Sequence, residues 1–268
     1  MVGFMETHYT DSCAAITRRI RYITPVAVTE LLNPTFRLRV AGHGGRLTLG
    51  WSFGLAGLTV PRGLPNHSSM ATTDMVLEAA PPENYLAGNE FIDVDDQSIR
   101  TLALTLRQRA GSDVPFAKAA FEWVRDEVGH SYDVQDPRVT LAASEVLAQR
   151  VGLCYAKSHL LAAVLRSEGV PTGLCYQRLV HGDGHVLHGL VAIYLNGAWR
   201  RQDPRGNKDG VDAQFSLDSE QLAWHVVPSL GEIDYPKIFA SPAQCVVETL
   251  RGAADVLSLY DAGLPTSL

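Results

Sequence analysis

The spacing of apolar residues predicts helices in the middle of the chain. Apolar side chains recur at intervals of three and four in residues 98–109, which is the pattern of one buried helix face. Asp113 followed by Pro115 is typical of a helix start with Asp113 as the N-cap. A longer amphipathic pattern begins at about Cys154 and ends before Gly169, a residue type that terminates helices. A short helix is also predicted around residues 144–147.

After Pro171 the pattern changes to the alternation of β-strands. Candidate strands cover residues 172–179, 187–195 and 199–203. Asn196-Gly197 separates two apolar runs and predicts a two-residue hairpin turn. In that register Leu195 faces Ala198, and further along the ladder His188 faces Arg205 and Leu190 faces Asp203. Helices followed by antiparallel strands predict an α+β domain.

Residues 1–69 differ from the rest of the chain in both pattern and charge. They show no sustained period, and they carry seven Lys and Arg against three Asp and Glu, a net +4, whereas residues 70–268 carry 16 against 26, a net −10. Three interpretations remain open: a small appended β segment, a poorly ordered extension, or a mis-assigned start with Met70 as the true first residue. We favour the last two, so the prediction is an N-terminal extension (1–69) and one folded domain (70–268).

Composition excludes several classes of protein. A net charge of −6 argues against a general nucleic-acid binder, which carries a basic face. The longest apolar stretch, residues 47–60, is shorter than the ~20 residues of a membrane span. Four cysteines without a C-x-x-C spacing indicate neither a disulfide framework nor a zinc ribbon. We therefore expect a cytoplasmic protein with reduced thiols, no membrane or nucleic-acid partner and no cofactor.

Cys154 is the first candidate for chemistry, because it stands at the start of a predicted helix. The partial positive charge of a helix N-terminus stabilises a thiolate, and its free N–H groups could stabilise an oxyanion. The competing interpretation of a lone cysteine is a small buried hydrophobe.

His188 and Asp203 are the second and third candidates. The predicted register makes them diagonal neighbours on one sheet face, ~7–8 Å apart at the backbone, close enough for an imidazole to meet a carboxylate. Taken singly, Asp203 could be a turn residue before Pro204 and His188 a structural histidine. The order Cys, His, Asp together points to a nucleophile, its base and an orienting carboxylate.

The same residues lie in a segment, about 116–204, that resembles the transglutaminase-like superfamily. The first block of the resemblance is Ser144-Glu-Val-Leu147, Gly152-Leu-Cys154, Leu161-Ala-Ala-Val-Leu-Arg166 and Gly169-Val-Pro171, and the second is His188, Asn196-Gly197, Trp199 and Asp203-Pro204. The resemblance implies a papain-like α+β fold, in which a helix bearing Cys packs on an antiparallel sheet bearing His and Asp. It also implies that Cys154 is the nucleophile, His188 the general base and acid, and Asp203 the orienting residue. One departure is Leu190, because many members carry a Trp two residues after the histidine.

Other polar residues are weaker candidates. Gln177 and Gln202 could each donate an amide N–H to an oxyanion, and the glycine-rich loop 181–185 is expected to border the cleft. His181, His185 and His188 could suggest a metal, but the intervening glycines and the lack of a carboxylate at ligand spacing predict no metal site. We interpret His159 as a buried helical histidine, and Cys175 and Cys245 as packing residues.

The leading functional prediction is thiol acyl chemistry on amide bonds of a peptide or protein. The thioester would pass to water, as in a peptidase or amidase, or to an amine, as in a transglutaminase. A catalytically silent binding or scaffold domain with the same fold is the alternative. An arylamine acetyl-transfer enzyme shares the order of the triad but has its cysteine much nearer the N-terminus.

Overall fold

The computed structural model describes residues 75–268, so the predictions made for residues 1–69 lie outside the described residues. The helices are α1 (Gln97–Ala110), α2 (Asp113–Glu127), α3 (Ser131–Val134), α4 (Ala143–Gln149), α5 (Cys154–Ser167), α6 (Gln244–Gly252) and α7 (Leu259–Ala262), with 3₁₀ turns at Pro82–Tyr85 and Pro228–Leu230. The strands are β1 (Gly129–His130), β2 (Val151–Gly152), β3 (Thr172–His181), β4 (Gly184–Leu195), β5 (Ala198–Gln202) and β6 (Ile233–Asp234).

Helix α5 is the central element, and nearly all of its side chains are buried. It packs against α1, α2 and α4 on one side and against β3 and β4 on the other. Lys157 ties it to the end of α2, because the buried ammonium donates hydrogen bonds to the carbonyl oxygens of Arg125, at 3.2 Å, and Val128. The amphipathic pattern predicted one buried face for this helix. Because α5 lies between two layers, both of its faces are buried.

The predicted helix starts are close to the observed ones, with one correction. Asp96 caps α1 and accepts hydrogen bonds from the amides of Ser98, at 2.8 Å, and Ile99, at 3.2 Å. Asp113 is not the N-cap of α2: the cap is Ser112, and Asp113 lies in the first turn. Its carboxylate instead forms an ion pair with Arg107 at 2.8 Å.

The main sheet is antiparallel, with the strand order β5-β4-β3-β6. Asn196 and Gly197 form the hairpin turn with positive φ angles of 52° and 78°, and Leu195 pairs with Ala198 as predicted. The β4–β5 ladder ends at the pair Val191–Gln202. The predicted pairs His188–Arg205 and Leu190–Asp203 are therefore wrong, because Pro204 has no N–H to continue a ladder.

Strand β4 approaches α5 closely at one glycine. A Cβ atom on Gly189 would lie 2.7 Å from Cδ1 of Tyr155 and 3.2 Å from its Cα. The Tyr155 hydroxyl also donates a hydrogen bond to the carbonyl oxygen of Leu187. The start of β4 is thus held against the first turn of α5, where Cys154 lies.

The main apolar core lies between the helices and the sheet. It combines side chains of α1, α2 and α5 with inward-facing residues of β3 and β4. This arrangement of helices packed on an antiparallel sheet confirms the predicted α+β, papain-like class of fold. None of the helices among residues 75–268 is both long and apolar enough to cross a membrane.

Candidate active site

Cys154 is the first residue of α5 and is 7% exposed. The short strand β2 leads into it and pairs in parallel with β1, which places His130 beside Gly152. Its Sγ lies 3.4 Å from the backbone nitrogen of Gly189 in β4, within hydrogen-bond distance for sulfur. The predicted location at a helix N-terminus is therefore observed, and the thiol faces the strand that carries His188.

His188 and Asp203 are in direct contact. Nε2 of His188 lies 2.8 Å from Oδ2 of Asp203, and both side chains are buried. The Asp203 carboxylate, which is 0% exposed, also accepts hydrogen bonds from the backbone amides of Arg205 and Ala223, each at 3.1 Å. Three donors fix the orientation of this carboxylate, and the carboxylate in turn fixes the orientation of the imidazole.

The charges of this pair stabilise each other. Burial by itself lowers the pKa of His188, but the Asp203 carboxylate and the interaction with Cys154 outweigh it and raise the pKa to about 10. Burial raises the pKa of Asp203, yet His188 and the two backbone amides hold it below its usual value. An imidazolium beside a carboxylate is thus the favoured state at neutral pH.

A cavity of about 340 Å³ opens in front of the thiol. Cys154 and His188 line it together with aromatic side chains from three different parts of the chain, Tyr132, Trp224 and Tyr260. The rings of Tyr132 and Tyr260 are 4.1 Å apart at their centroids. A largely apolar cavity with a few convergent polar groups is the usual form of a small substrate site.

Trp224 is a residue of the site that the sequence did not reveal. Its ring meets that of His188 edge to face, with the centroids 4.8 Å apart and an angle of 87° between the planes. The guanidinium of Arg205 lies over the same ring at 5.1 Å. Trp224 thus provides an aromatic wall of the cavity beside His188, whereas Leu190 does not line the cavity. No periodic signal marks it, because it lies outside the helices and strands.

His130 and Asp133 are a second group that the sequence analysis missed. His130 lines the cavity, and its Nδ1 lies 3.9 Å from Oδ2 of Asp133. Asp133 also forms ion pairs with Arg205 at 2.5 Å and Lys208 at 2.8 Å. The available signal was the spacing His-x-x-Asp at the start of α3, which puts both side chains on one side of a helical turn.

Several weaker candidates lie away from the thiol. Gln177 donates to Asp234 at 2.9 Å, and Gln202 donates to the carbonyl oxygen of Ser216 at 2.6 Å. Neither glutamine lines the cavity, so the prediction that they reach an oxyanion finds no support. In the glycine-rich loop, His181 borders the cavity but His185 does not.

His159, Cys175 and Cys245 are packed in the fold, as the sequence predicted. His159 is buried with its Nδ1 2.8 Å from the carbonyl oxygen of Leu141. Cys175 is buried and Cys245 half-buried, and both are free thiols. Within residues 75–268, no group of three or more His, Cys, Asp or Glu side chains is arranged to hold a metal ion.

The fold and the cavity define an α+β protein of the papain-like class, with a thiol at a helix N-terminus facing an imidazole and a carboxylate on the sheet side. Residues 100–204 match the family model described as the transglutaminase-like superfamily. This match confirms the resemblance to the transglutaminase-like superfamily that the sequence predicted.

Solved structures give more distant likenesses. A candidate cysteine protease from Cytophaga hutchinsonii is 17% identical with a TM-score of 0.38, over 48% of this chain and 46% of that one. The periplasmic domain of TgpA from Pseudomonas aeruginosa is 23% identical with a TM-score of 0.35, over 47% and 48% of the two chains. A TGase is 20% identical with a TM-score of 0.36, over 48% and 35%. The chain thus spans less than half of the length of each, and no curated protein matches it significantly.

Proposed function

We propose that the protein is a cysteine-dependent enzyme that transfers acyl groups from amide bonds of peptides or proteins. Cys154 is the nucleophile, His188 the general base and acid, and Asp203 the residue that orients the imidazole. The observation that carries the proposal is the buried 2.8 Å contact between His188 and Asp203 beside a thiol at a helix N-terminus. A binding or scaffold domain has no need of such a buried pair, whose burial costs free energy.

In the first half of the reaction the Cys154 thiolate attacks the amide carbonyl carbon and a C–S bond forms. His188 carries a proton on Nδ1, the ring nitrogen that does not contact Asp203. It gives this proton to the amine as the C–N bond breaks. The raised pKa of His188 supports this role, because the imidazolium is present at neutral pH. The Cys154 backbone N–H, at the N-terminus of α5, stabilises the oxyanion in this scheme.

In the second half of the reaction the neutral imidazole accepts a proton from the acyl acceptor. The acceptor then attacks the thioester carbonyl, and the C–S bond breaks to restore the thiolate. Water as acceptor gives hydrolysis and an amine gives transamidation. Asp203, held by three hydrogen bonds, keeps the same imidazole nitrogen directed at the sulfur in both halves.

The proposal is tested by the pH dependence of iodoacetamide alkylation, with the modified peptide identified by mass spectrometry. We expect Cys154 to react well below pH 8, where an ordinary thiol of pKa ~8.5 is mostly protonated. His188→Ala should remove this low-pH reactivity, because the imidazolium that stabilises the thiolate is lost. Mass analysis of products from a peptide library, with and without an added amine, then separates hydrolysis from transamidation.

Cys245 is the matched control for this measurement. It is a half-buried free thiol whose pKa is raised by burial, so Cys245→Ala should leave the profile of Cys154 unchanged. Reactivity of Cys154 that follows an ordinary thiol, together with amide turnover that survives Cys154→Ala, would contradict the proposed function.

A further inference from the structure

We propose that His130 and Asp133 form a second imidazole–carboxylate pair, which binds the acyl acceptor in the second half of the reaction. This inference rests on the proposed function of Cys154. His188 serves the thiol, whereas His130 accepts a hydrogen bond from the acceptor and holds it against the thioester. The acceptor therefore carries at least two N–H or O–H hydrogens, as a primary amine or water does.

The backbone puts His130 close to the nucleophile. Strand β1 pairs in parallel with β2, and His130 stands opposite Gly152, two residues before Cys154. His130 is 5% exposed and lines the same cavity as Cys154 and His188. The position of His130 is therefore fixed by the hydrogen bonds between β1 and β2 and not by a loop.

The hydrogen bonding of the His130 ring is incomplete. Nδ1 of His130 is buried, and among the described residues it has no hydrogen-bond partner. The nearest carboxylate oxygen, Oδ2 of Asp133, lies 3.9 Å away, too far for a hydrogen bond but close enough to attract an N–H. Nε2 of His159 also lacks a partner among the described residues, but of these two histidines only His130 lines the cavity with Cys154.

The position of Asp133 decides which nitrogen carries the proton. A carboxylate facing Nδ1 favours the tautomer with the hydrogen on Nδ1, and Nε2 is left with its lone pair. Nε2 has no hydrogen-bond partner within residues 75–268 and is not among the buried atoms. It is therefore the ring nitrogen that accepts a hydrogen bond from a molecule in the cavity.

The charges around His130 keep it neutral, as an acceptor-binding group must be. Burial lowers the pKa of His130 well below its usual value, and the positive charge of Arg205 acts in the same direction. Lys157 and His188 add to this effect, and only Asp133 opposes it. The Asp133 carboxylate is itself ionised, because hydrogen bonds from Arg205 and Lys208 outweigh its burial and lower its pKa to about 2.

The second half of the reaction begins after the first amine has left, when the imidazoles of His188 and His130 are both neutral. One hydrogen of the acceptor is directed to His188 and the other to Nε2 of His130. The acceptor attacks the thioester carbon, its proton passes to His188, and the C–S bond breaks to give the acyl product and the Cys154 thiolate. The thiolate and the protonated His188 restore the starting state, and His130 undergoes no net change.

The experiment separates the two half-reactions with p-nitrophenyl acetate as the acyl donor. The burst of p-nitrophenol measures acetylation of Cys154, and intact-protein mass spectrometry follows the decay of the acetyl-enzyme in water alone and with added methylamine. For His130→Phe we expect a burst within about twofold of the wild-type rate and a decay slower by 10-fold or more. His130→Asn, which retains a hydrogen-bond acceptor, should restore part of the decay rate.

His159→Asn is the matched control, because it also removes a buried imidazole but lies outside the cavity. Both of its rates should equal those of the wild type. A defect in the methylamine arm alone assigns His130 to an amine acceptor, and a defect in both arms assigns it to water as well. Either result supports the inference.

Two results would overturn the inference while leaving the proposed function intact. One is a folded His130→Phe variant whose acetyl-enzyme decays at the wild-type rate, and the other is an equal fall in both rates, which indicates a structural role. If His130→Phe does not fold, the partly exposed Asp133→Asn variant takes its place with the same expected split. Failure of the wild type to form acetyl-Cys154 would instead overturn the proposed function, and the inference with it.

Discussion

Asp203 accepts a hydrogen bond from Nε2 of His188 at 2.8 Å although the ladder between their strands ends one residue earlier, at Gln202. Because Asp203 is not paired in the ladder, its carboxylate can turn toward the imidazole of His188. Two backbone amides, those of Arg205 and Ala223, then hold it there. The contact therefore depends on the turn after β5 and not on strand pairing.

The first prediction concerns the charge of Asp203. Asp203→Asn keeps the size of the side chain but removes the charge that supports the His188 imidazolium. We expect acylation to slow by about 10²–10⁴-fold, the range for loss of acid–base assistance, and the alkylation of Cys154 below pH 8 to slow as well. Asp234→Asn is the control, because the Asp234 carboxylate pairs with Arg201 and not with a histidine. This variant should leave the alkylation profile of Cys154 unchanged.

The second prediction concerns the stability of the protein as a function of pH. The pKa of His188 is raised from 6.5 to about 10, so its protonation stabilises the fold fully below about pH 6.5 and this stabilisation is lost as the pH rises to about 10. The difference in free energy of unfolding between the wild type and His188→Gln should shrink across this interval. Denaturant titrations between pH 6 and 10 measure this difference in free energy of unfolding. A difference that stays constant would contradict the raised pKa of His188.

The third prediction concerns the aromatic wall formed by Trp224. Trp224→Ala removes the ring against His188 and the platform under Arg205, and such aromatic pairs are worth about 0.5–1.5 kcal/mol. We expect kcat/KM to fall by about tenfold, whereas Trp224→Phe retains most of it. Trp123→Ala, which also removes a ring under an arginine, Arg150, should lower stability without this kinetic effect. Equal kinetic losses in both variants would speak against a role for Trp224 in the site.

The fourth prediction concerns the contact between β4 and α5. Gly189→Ala puts a methyl group 2.7 Å from the Tyr155 ring, and overpacking of this kind costs about 1–3 kcal/mol. Because Gly189 also borders the sulfur of Cys154, alkylation of Cys154 should change as well. Gly184→Ala is the control, since its methyl group would have no neighbour closer than 3.9 Å, and unfolding curves of the two variants should differ clearly.

The fifth prediction concerns residues 1–69. Residues 75–268 contain the apolar core, the cavity and all three proposed catalytic residues. A chain that starts at Met70 should therefore fold and keep the reactivity of Cys154. Circular dichroism and the alkylation profile check this, and a collapse of folding on deletion would show that the N-terminal segment is part of the domain.

The sequence by itself determined the local elements and their order. The apolar period of residues 98–109, the helix beginning at Cys154 and the turn at Asn196-Gly197 were all predicted, because each depends on neighbours within a few positions. The order of Cys154, His188 and Asp203 could also be read from motif spacing. Even the register of the β4–β5 hairpin followed from the two-residue turn.

Only the tertiary structure decided how the ladder ends and what surrounds the thiol. Trp224 reaches His188 across 36 positions of sequence, and His130 reaches the cavity through the pairing of two strands of two residues each. Hydrophobic periodicity in the sequence does not mark either residue, because their positions depend on how loops and short strands pack against α5. Contacts of this kind depend on the whole fold, and they decide which polar groups face the substrate.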